Sequence, residues 1–205
     1  GKGAPLVSFL DWLLFKNEKK NSILLNVGGI SNITFIPESG IRNKVIGFDT
    51  GPGMCLIDEF VKFKFNKYQD ENCYFSKNGI VNDSLLKDLM KDKYIKSVPP
   101  KSTTREYFGK EYIKKLILKY KDISSYDILR TLVKFTADSV SYNINKFIDS
   151  EIDIVLISGG GAHHRFLIKD LTQNISNLYK ANSYNISIDF KEALLMSVMG
   201  YTFYK

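Results

Sequence analysis

Cysteine is scarce in this chain, with Cys55 and Cys73 the only two in 205 residues. Two isolated thiols supply neither a disulfide framework nor a spaced set of metal ligands, which excludes a small stapled fold and a zinc-finger module. A reducing cytoplasm suits that composition. The N-x-[ST] patterns at Asn32, Asn82, Asn174 and Asn185 then carry no meaning, since they matter only in a secreted chain. No apolar run approaches the roughly 20 residues that a membrane-spanning helix needs, so no membrane partner is expected. The opening GKGAPLVSFLDWLLF has Asp11 inside its apolar part and lacks a basic, apolar, small-residue order, so it does not read as a secretion signal. Also missing are G-x-x-x-x-G-K-[ST] and G-x-G-x-x-G, because His164 stands where the last glycine of the latter would fall. Any phosphate chemistry must therefore use another scaffold. The two histidines, His163 and His164, are neighbours; on a helix they would point about 100° apart and could not share an ion. No metal site is read from the sequence.

With 44% hydrophobic and 25% charged residues the composition is that of a globular chain, long enough for a sizeable core. The formal charge is +7. Nucleic-acid binding needs clustering as well as excess, and the lysines are spread along the chain, so no nucleic-acid partner is expected. Small anions are served by the same balance.

Residues 24–58 organise the rest. LLNVGGISNITFIP reads as two strands, Ile23 to Val27 and Ile30 to Ile36, meeting at Gly28-Gly29; KVIGFDTGPGMCLID reads as a third strand, Lys44 to Phe48, ending in Asp49. Glycines at 28, 29, 51 and 53 let backbone N–H groups approach an anion with no Cβ in the way. Plain turn chemistry is the competing reading for Gly28 and Gly29. Asp49 at a strand's carboxyl end is placed to act as a base or to oppose a metal–phosphate. After Gly53 the period changes to that of a helix, whose first N–H groups and dipole would face the same anion. Asp58, one turn in, serves either as a surface acid near a positive helix end or as a functional group.

Elsewhere the periodicity predicts helices over Pro5 to Phe15, Asn82 to Met90, Phe108 to Tyr120, Ser125 to Ile148, His163 to Ile175 and Lys191 to Tyr204, and strands over Ile152 to Ile157 and Ile186 to Ile188. Lys64 to Lys77 has no clear period and reads as loop. The segment SVPPKSTTREYF crowds Lys101, Ser102, Thr103, Thr104 and Arg105 together, a density of donors that suits either a solvated loop or one lining an anion site. Gly159, Gly160 and Gly161 follow a buried strand and precede a helix. Glu192 opens the last helix, where an acid favours the dipole or could meet a sugar.

Seven collinear segments, GKGAPLV, LNVGGISNIT, GFDTGPG, VPPKSTTREYF, TLVKFTADSV, ISGGGAHH and KEALLMSVMG, resemble the anhydro-N-acetylmuramic acid kinase family and cover nearly the whole chain. The resemblance implies an α/β, ribonuclease H-like lobe of the actin-like ATPases, with a mixed sheet that begins as three antiparallel strands and helices on both faces. It also implies that residues 1–205 form a single C-terminal lobe, without the N-terminal lobe that carries a Ser-Gly-Thr-Ser phosphate loop and much of the sugar pocket. The family hydrolyses the 1,6-anhydro ring of a muramyl sugar and moves the ATP γ-phosphoryl to the freed 6-oxygen, recycling cell-wall sugar. By resemblance Asp49 is the base that activates water, Gly28, Gly29, Gly51 and Gly53 cradle the ATP phosphates, Gly159, Gly160 and Gly161 pack on the adenosine, Glu192 nears the sugar, and Mg²⁺ accompanies the nucleotide. The implied partners are the sugar, the absent lobe and a second copy in a homodimer. The competing reading is a non-catalytic nucleotide- or sugar-binding module that partners a separate N-terminal lobe. Met54 and His164 stand where the family usually has Asn.

Overall fold

The structure is a computed structural model that describes residues 4–184. The strand and helix expected at Ile186 to Ile188 and Lys191 to Tyr204, with Glu192, lie outside the described residues.

Strand β1 (Ser22–Val27) is the centre of the sheet, and all but one of its residues are buried. Its alternation explains why it needs cover on both sides. Ile23, Leu25 and Val27 join the larger core, whereas Leu24 faces a smaller cluster with Phe15, Ile36, Ile154 and Leu156. β1 pairs antiparallel with β2 (Ile30–Ile36), which pairs antiparallel with β3 (Ile46–Pro52). On its other edge β1 runs parallel to β4 (Ile154–Ser158), which runs parallel to β5 (Leu178–Lys180). The order is therefore β3-β2-β1-β4-β5, a mixed sheet that begins as three antiparallel strands, as expected of a ribonuclease H-like fold. A parallel return from β2 and β3 to β4 requires a long crossover, and the helices supply it.

Helix α1 (Ala4–Phe15) covers the smaller cluster, where Ser8 Oγ meets Thr34 Oγ1 at 3.1 Å and Trp12 Nε1 donates to the Gly40 carbonyl at 2.8 Å. The opposite face carries α2 (Cys55–Phe65), α3 (Asp83–Leu89), the one-turn α4 (Lys93–Lys96), α5 (Lys110–Lys119), α6 (Ser125–Phe147) and α7 (Arg165–Asn174). Helix α6 does more than bury Leu129, Leu132, Phe135 and Val140. A buried polar stripe on it holds the far end of β3: Asn143 Nδ2 donates to the Thr50 carbonyl at 3.0 Å, and Thr136 Oγ1 to that of Gly53 at 3.2 Å. Carbonyls that a strand end would leave unpaired in the interior are thereby satisfied.

Two differences from the sequence reading concern the site. β3 does not stop at Phe48 but continues through Asp49 to Pro52, with an irregularity opposite Ser31 and Asn32. The extra residue at this bulge, Thr50, bonds to Ser31 Oγ at 2.6 Å, and Gly51 takes a φ of 146°. The hairpin turn, for its part, packs backbone to backbone on α2. Gly28 O accepts from Met54 N at 2.8 Å, and Gly29 O accepts from Gly53 N at 2.9 Å and Cys55 N at 3.1 Å. A Cβ on Gly53 would collide with the Gly28 carbonyl. Gly53→Ala should therefore cost about 1–3 kcal/mol through overpacking, read as a drop in denaturant midpoint; an unchanged midpoint would show that the hairpin can retreat freely.

Helices α6 and α7 are joined by a two-pronged ion pair. Arg130 Nη1 and Nη2 lie 2.7 Å from the two oxygens of Asp170, whose side chain is 2% exposed. Phe166 covers the guanidinium at 5.1 Å. Removing one partner strands a charge in the interior, so Asp170→Asn should lower unfolding free energy by about 3 kcal/mol. A loss under about 1 kcal/mol, the value of an exposed pair, would contradict that burial.

Candidate active site

Asp49 lies near the end of β3, 7% exposed, and its carboxylate holds the donor-rich segment. Oδ2 accepts from Ser102 Oγ and from Thr103 N, each at 3.0 Å, while the backbone N–H of Asp49 bonds the Lys101 carbonyl at 3.3 Å. Tyr94 Oη donates to the Asp49 carbonyl at 2.9 Å. Burial, reinforced by the charge of Asp49, raises the Tyr94 phenol well above its ordinary value. Lys101 folds inward, with Nζ 3.2 Å from Tyr94 O and 3.1 Å from Ile95 O and close to the rings of Tyr94, Phe147 and Phe48. Burial pulls that amine down to about 8. SVPPKSTTREYF is thus tied to the strand end, and its crowded donors are neither uniformly solvated nor all aimed at one anion.

Arg105, at the end of that run, reaches a different place. It lies against Gly29, so closely that a Cβ there would meet the guanidinium. Together Gly28, Gly29 and Arg105 form one wall of a cavity of about 500 Å³; Gly160, His163 and His164 form another, and Met54, Cys55, Asp58 and the segment from Gln69 to Cys73 complete it. Of the seven glycines picked out in the sequence, Gly28, Gly29 and Gly160 line this cavity. The others do structural work. Gly51 and Gly159 take positive φ values of 146° and 81°, and Gly53 and Gly161 have no room for a Cβ, the latter because Val27 fills that space. The start of α2 is also less open than the sequence suggested, because the Gly53, Met54 and Cys55 N–H groups are spent on the hairpin carbonyls.

The irregular stretch between α2 and α3 closes the cavity. Asp70 gathers donors: the Phe75 N–H at 2.8 Å, the Ser76 N–H at 3.3 Å and His164 Nε2 at 3.2 Å. Burial alone would raise its carboxyl, but the bonds from His164, Ser76 and Phe75 outweigh it and hold the group below the usual range. His164 Nδ1 caps α7 by accepting from Leu167 N at 3.3 Å, and Cys73 Sγ lies 3.7 Å from the same nitrogen. His164 is therefore a buried, hydrogen-bonded residue at the cavity wall, not a helix-start side chain in solvent. Cys55 and Asp58 share the cavity in neutral-favouring surroundings. Burial pushes the Cys55 thiol up to about 12, and burial lifts Asp58 to about 6 against the opposing charge of Arg105.

Asp70 and Cys73 were invisible to periodicity, because the loop that carries them has none; only the fold carries them to His164, more than 90 residues away. Arg105 was visible as a donor in a crowded run, but nothing local separated it from its neighbours.

Comparison with known proteins follows the same outline. A solved structure, the activator of the 2-hydroxyisocaproyl-CoA dehydratase from Clostridium difficile with bound ADPNP, superposes with a TM-score of 0.50 at 16% identity, covering 85% of this chain and 57% of its own. That likeness is one of fold. Among curated proteins, anhydro-N-acetylmuramic acid kinases from Clostridioides difficile, Bacillus cereus and Francisella tularensis subsp. novicida are 43%, 37% and 38% identical. Each match takes in 98% of this chain and 53%, 54% and 53% of the relative, so the chain spans about half the length of these proteins. The family model described as anhydro-N-acetylmuramic acid kinase matches residues 1–205. On that match over its whole length, the chain belongs to the anhydro-N-acetylmuramic acid kinase family.

Proposed function

We propose that this chain is one lobe of a two-lobe sugar kinase that opens 1,6-anhydro-N-acetylmuramic acid with water and phosphorylates the freed 6-oxygen from ATP. The observation that carries the reading is Asp49, a carboxylate fastened at the end of a buried strand by Ser102 and Thr103 of the segment whose Arg105 reaches a glycine-lined cavity, within a family match that runs from end to end. Both side-chain bonds of Asp49 engage Oδ2. Its other oxygen is the one that would take a proton from the attacking water. Water oxygen would then bond the anomeric carbon as the bridging C–O bond breaks towards the 6-oxygen, and that oxygen would bond the γ-phosphorus as the bond to the β,γ-bridging oxygen breaks and ADP leaves.

The cavity's donors suit a nucleotide's phosphates. Gly28 brings its backbone to the cavity wall, Arg105 lies along Gly29 with a fixed positive charge, and none of the described residues lies within 4 Å of where a Cβ on Gly160 would stand. A relative of the same fold holds ADPNP. Phosphoryl transfer gains chiefly from positioning and charge stabilisation, which this wall would contribute; ATP would supply the phosphoryl group, with Mg²⁺ accompanying it and no side chain of this lobe assigned to the ion. Glu192 remains the proposed sugar contact. The N-terminal lobe, supplied on the same or another chain, would complete the cleft, and a homodimer and a cytoplasmic setting belong to the same reading.

Two outcomes test it. In the two-lobe protein, Asp49→Asn should leave folding and Mg-ATP affinity intact and lower kcat by about 10²- to 10⁴-fold, the usual contribution of a general base; near-normal kcat would place the base elsewhere. The 205-residue chain by itself should give no sugar phosphate from ATP and the anhydro sugar in a coupled ADP-release assay. Turnover there would mean that half a cleft suffices, and the two-lobe reading would fail.

A further inference from the structure

Cys73, His164 and Asp70 come from two separate regions of the sequence and meet at the cavity wall, with one ligand-bearing atom of each within 4.8 Å of the other two. All three side chains are buried, at 1%, 5% and 5% exposure, yet all three border the cavity. We propose that they form a binding site for a thiophilic divalent cation of the zinc class, with three protein ligands and a fourth position open to the cavity. Sulfur, imidazole nitrogen and carboxylate oxygen are the donors such an ion takes, and three ligands plus an open position is the layout of a reactive rather than a sealed structural site.

The three ligand atoms lie within 4.8 Å of one another, wider than the spacing the bound ion requires. Bonds of about 2.0–2.3 Å in a tetrahedron separate ligand atoms by roughly 3.3–3.7 Å. The contacts now use different ring nitrogens, His164 Nε2 to Asp70 Oδ2 at 3.2 Å and Cys73 Sγ to His164 Nδ1 at 3.7 Å, so binding requires the ring to turn one nitrogen towards both partners, at the expense of its Nε2 bond to Asp70 or its Nδ1 bond to Leu167 N, while the three ligand atoms close up from within 4.8 Å. On binding, the thiol gives its proton to solvent, the imidazole bonds through a lone pair in its neutral form, and the carboxylate binds as the anion it already is. Asp70 keeps the Phe75 N–H on Oδ1, which fixes its orientation. No other trio of His, Cys, Asp or Glu among the described residues meets the same spacing.

The site lies inside the cavity assigned above to the nucleotide, but its test uses the metal alone, so failure here and failure of the kinase reading are separate results. The tag-free 205-residue chain is titrated with Co²⁺ and then with Zn²⁺. One Co²⁺ per chain should bind, with a thiolate-to-cobalt charge-transfer band in the near ultraviolet that one equivalent of Zn²⁺ removes. Cys73 has a φ of 57°, a conformation that glycine adopts without a Cβ penalty, so Cys73→Gly deletes the sulfur while easing the backbone. That variant should lose the band and bind Zn²⁺ more than about tenfold more weakly, a loss that even an outer-shell partner can cause. Cys55→Ala leaves Cys73 as the only thiol in the chain and should keep the band, which decides the matter even if Cys73→Gly does not fold. Absence of the band in the unaltered chain, its persistence in folded Cys73→Gly, or its loss in folded Cys55→Ala would overturn the proposal.

Discussion

The site depends on a contact between backbones. The carbonyls of Gly28 and Gly29, at the tip of the β1–β2 hairpin, accept the N–H groups of Gly53, Met54 and Cys55 at the start of α2. This contact sets the distance between the sheet's end and the helix, and with it the width of the cavity floor. It is short because Gly53 carries no Cβ to hold the two apart. The Met54 and Cys55 N–H groups are among those that a helix start leaves unpaired, and here the protein itself satisfies them. What remains for a ligand is the outer surface of the hairpin tip, with Arg105 laid along it.

A second layer of polar contacts keeps this arrangement from drifting. Thr136 and Asn143 on α6 take carbonyls from the β3 end, and Ser31 bonds Thr50 and the carbonyls of Gly51 and Pro52. Buried hydroxyls and amides are costly unless paired. Their concentration along α6 makes this helix a template for the strand that carries Asp49 as well as a hydrophobic cover. The bulge at Thr50 is likewise held from both sides.

Much of this was legible in the residues, and unevenly so. Strands β1 and β2 were clear because two short apolar runs of strand length, meeting at two glycines, admit few other readings. The end of β3 was misjudged, since Asp49 and Gly51 look like turn residues, while Ser31 and α6 supply the pairing that keeps the segment extended; that information lies outside the local window. Strand β5 and the one-turn α4 are too short to leave a period. The resemblance to a kinase family rested on whole strings and is matched by the family model over every residue, whereas the meeting of Asp70, Cys73 and His164 follows from a loop with no pattern. The glycine motifs did not distinguish Gly28, Gly29 and Gly160, which line the cavity, from those that turns and packing require.

Gly160 makes that distinction in the opposite sense. The φ values of Gly51 and Gly159 and the crowding around Gly53 and Gly161 account for those residues from within the lobe. At Gly160 the described residues provide no such reason: an added methyl would touch none of them within 4 Å. A side chain there would take volume from the cavity and disturb none of the packing among the described residues.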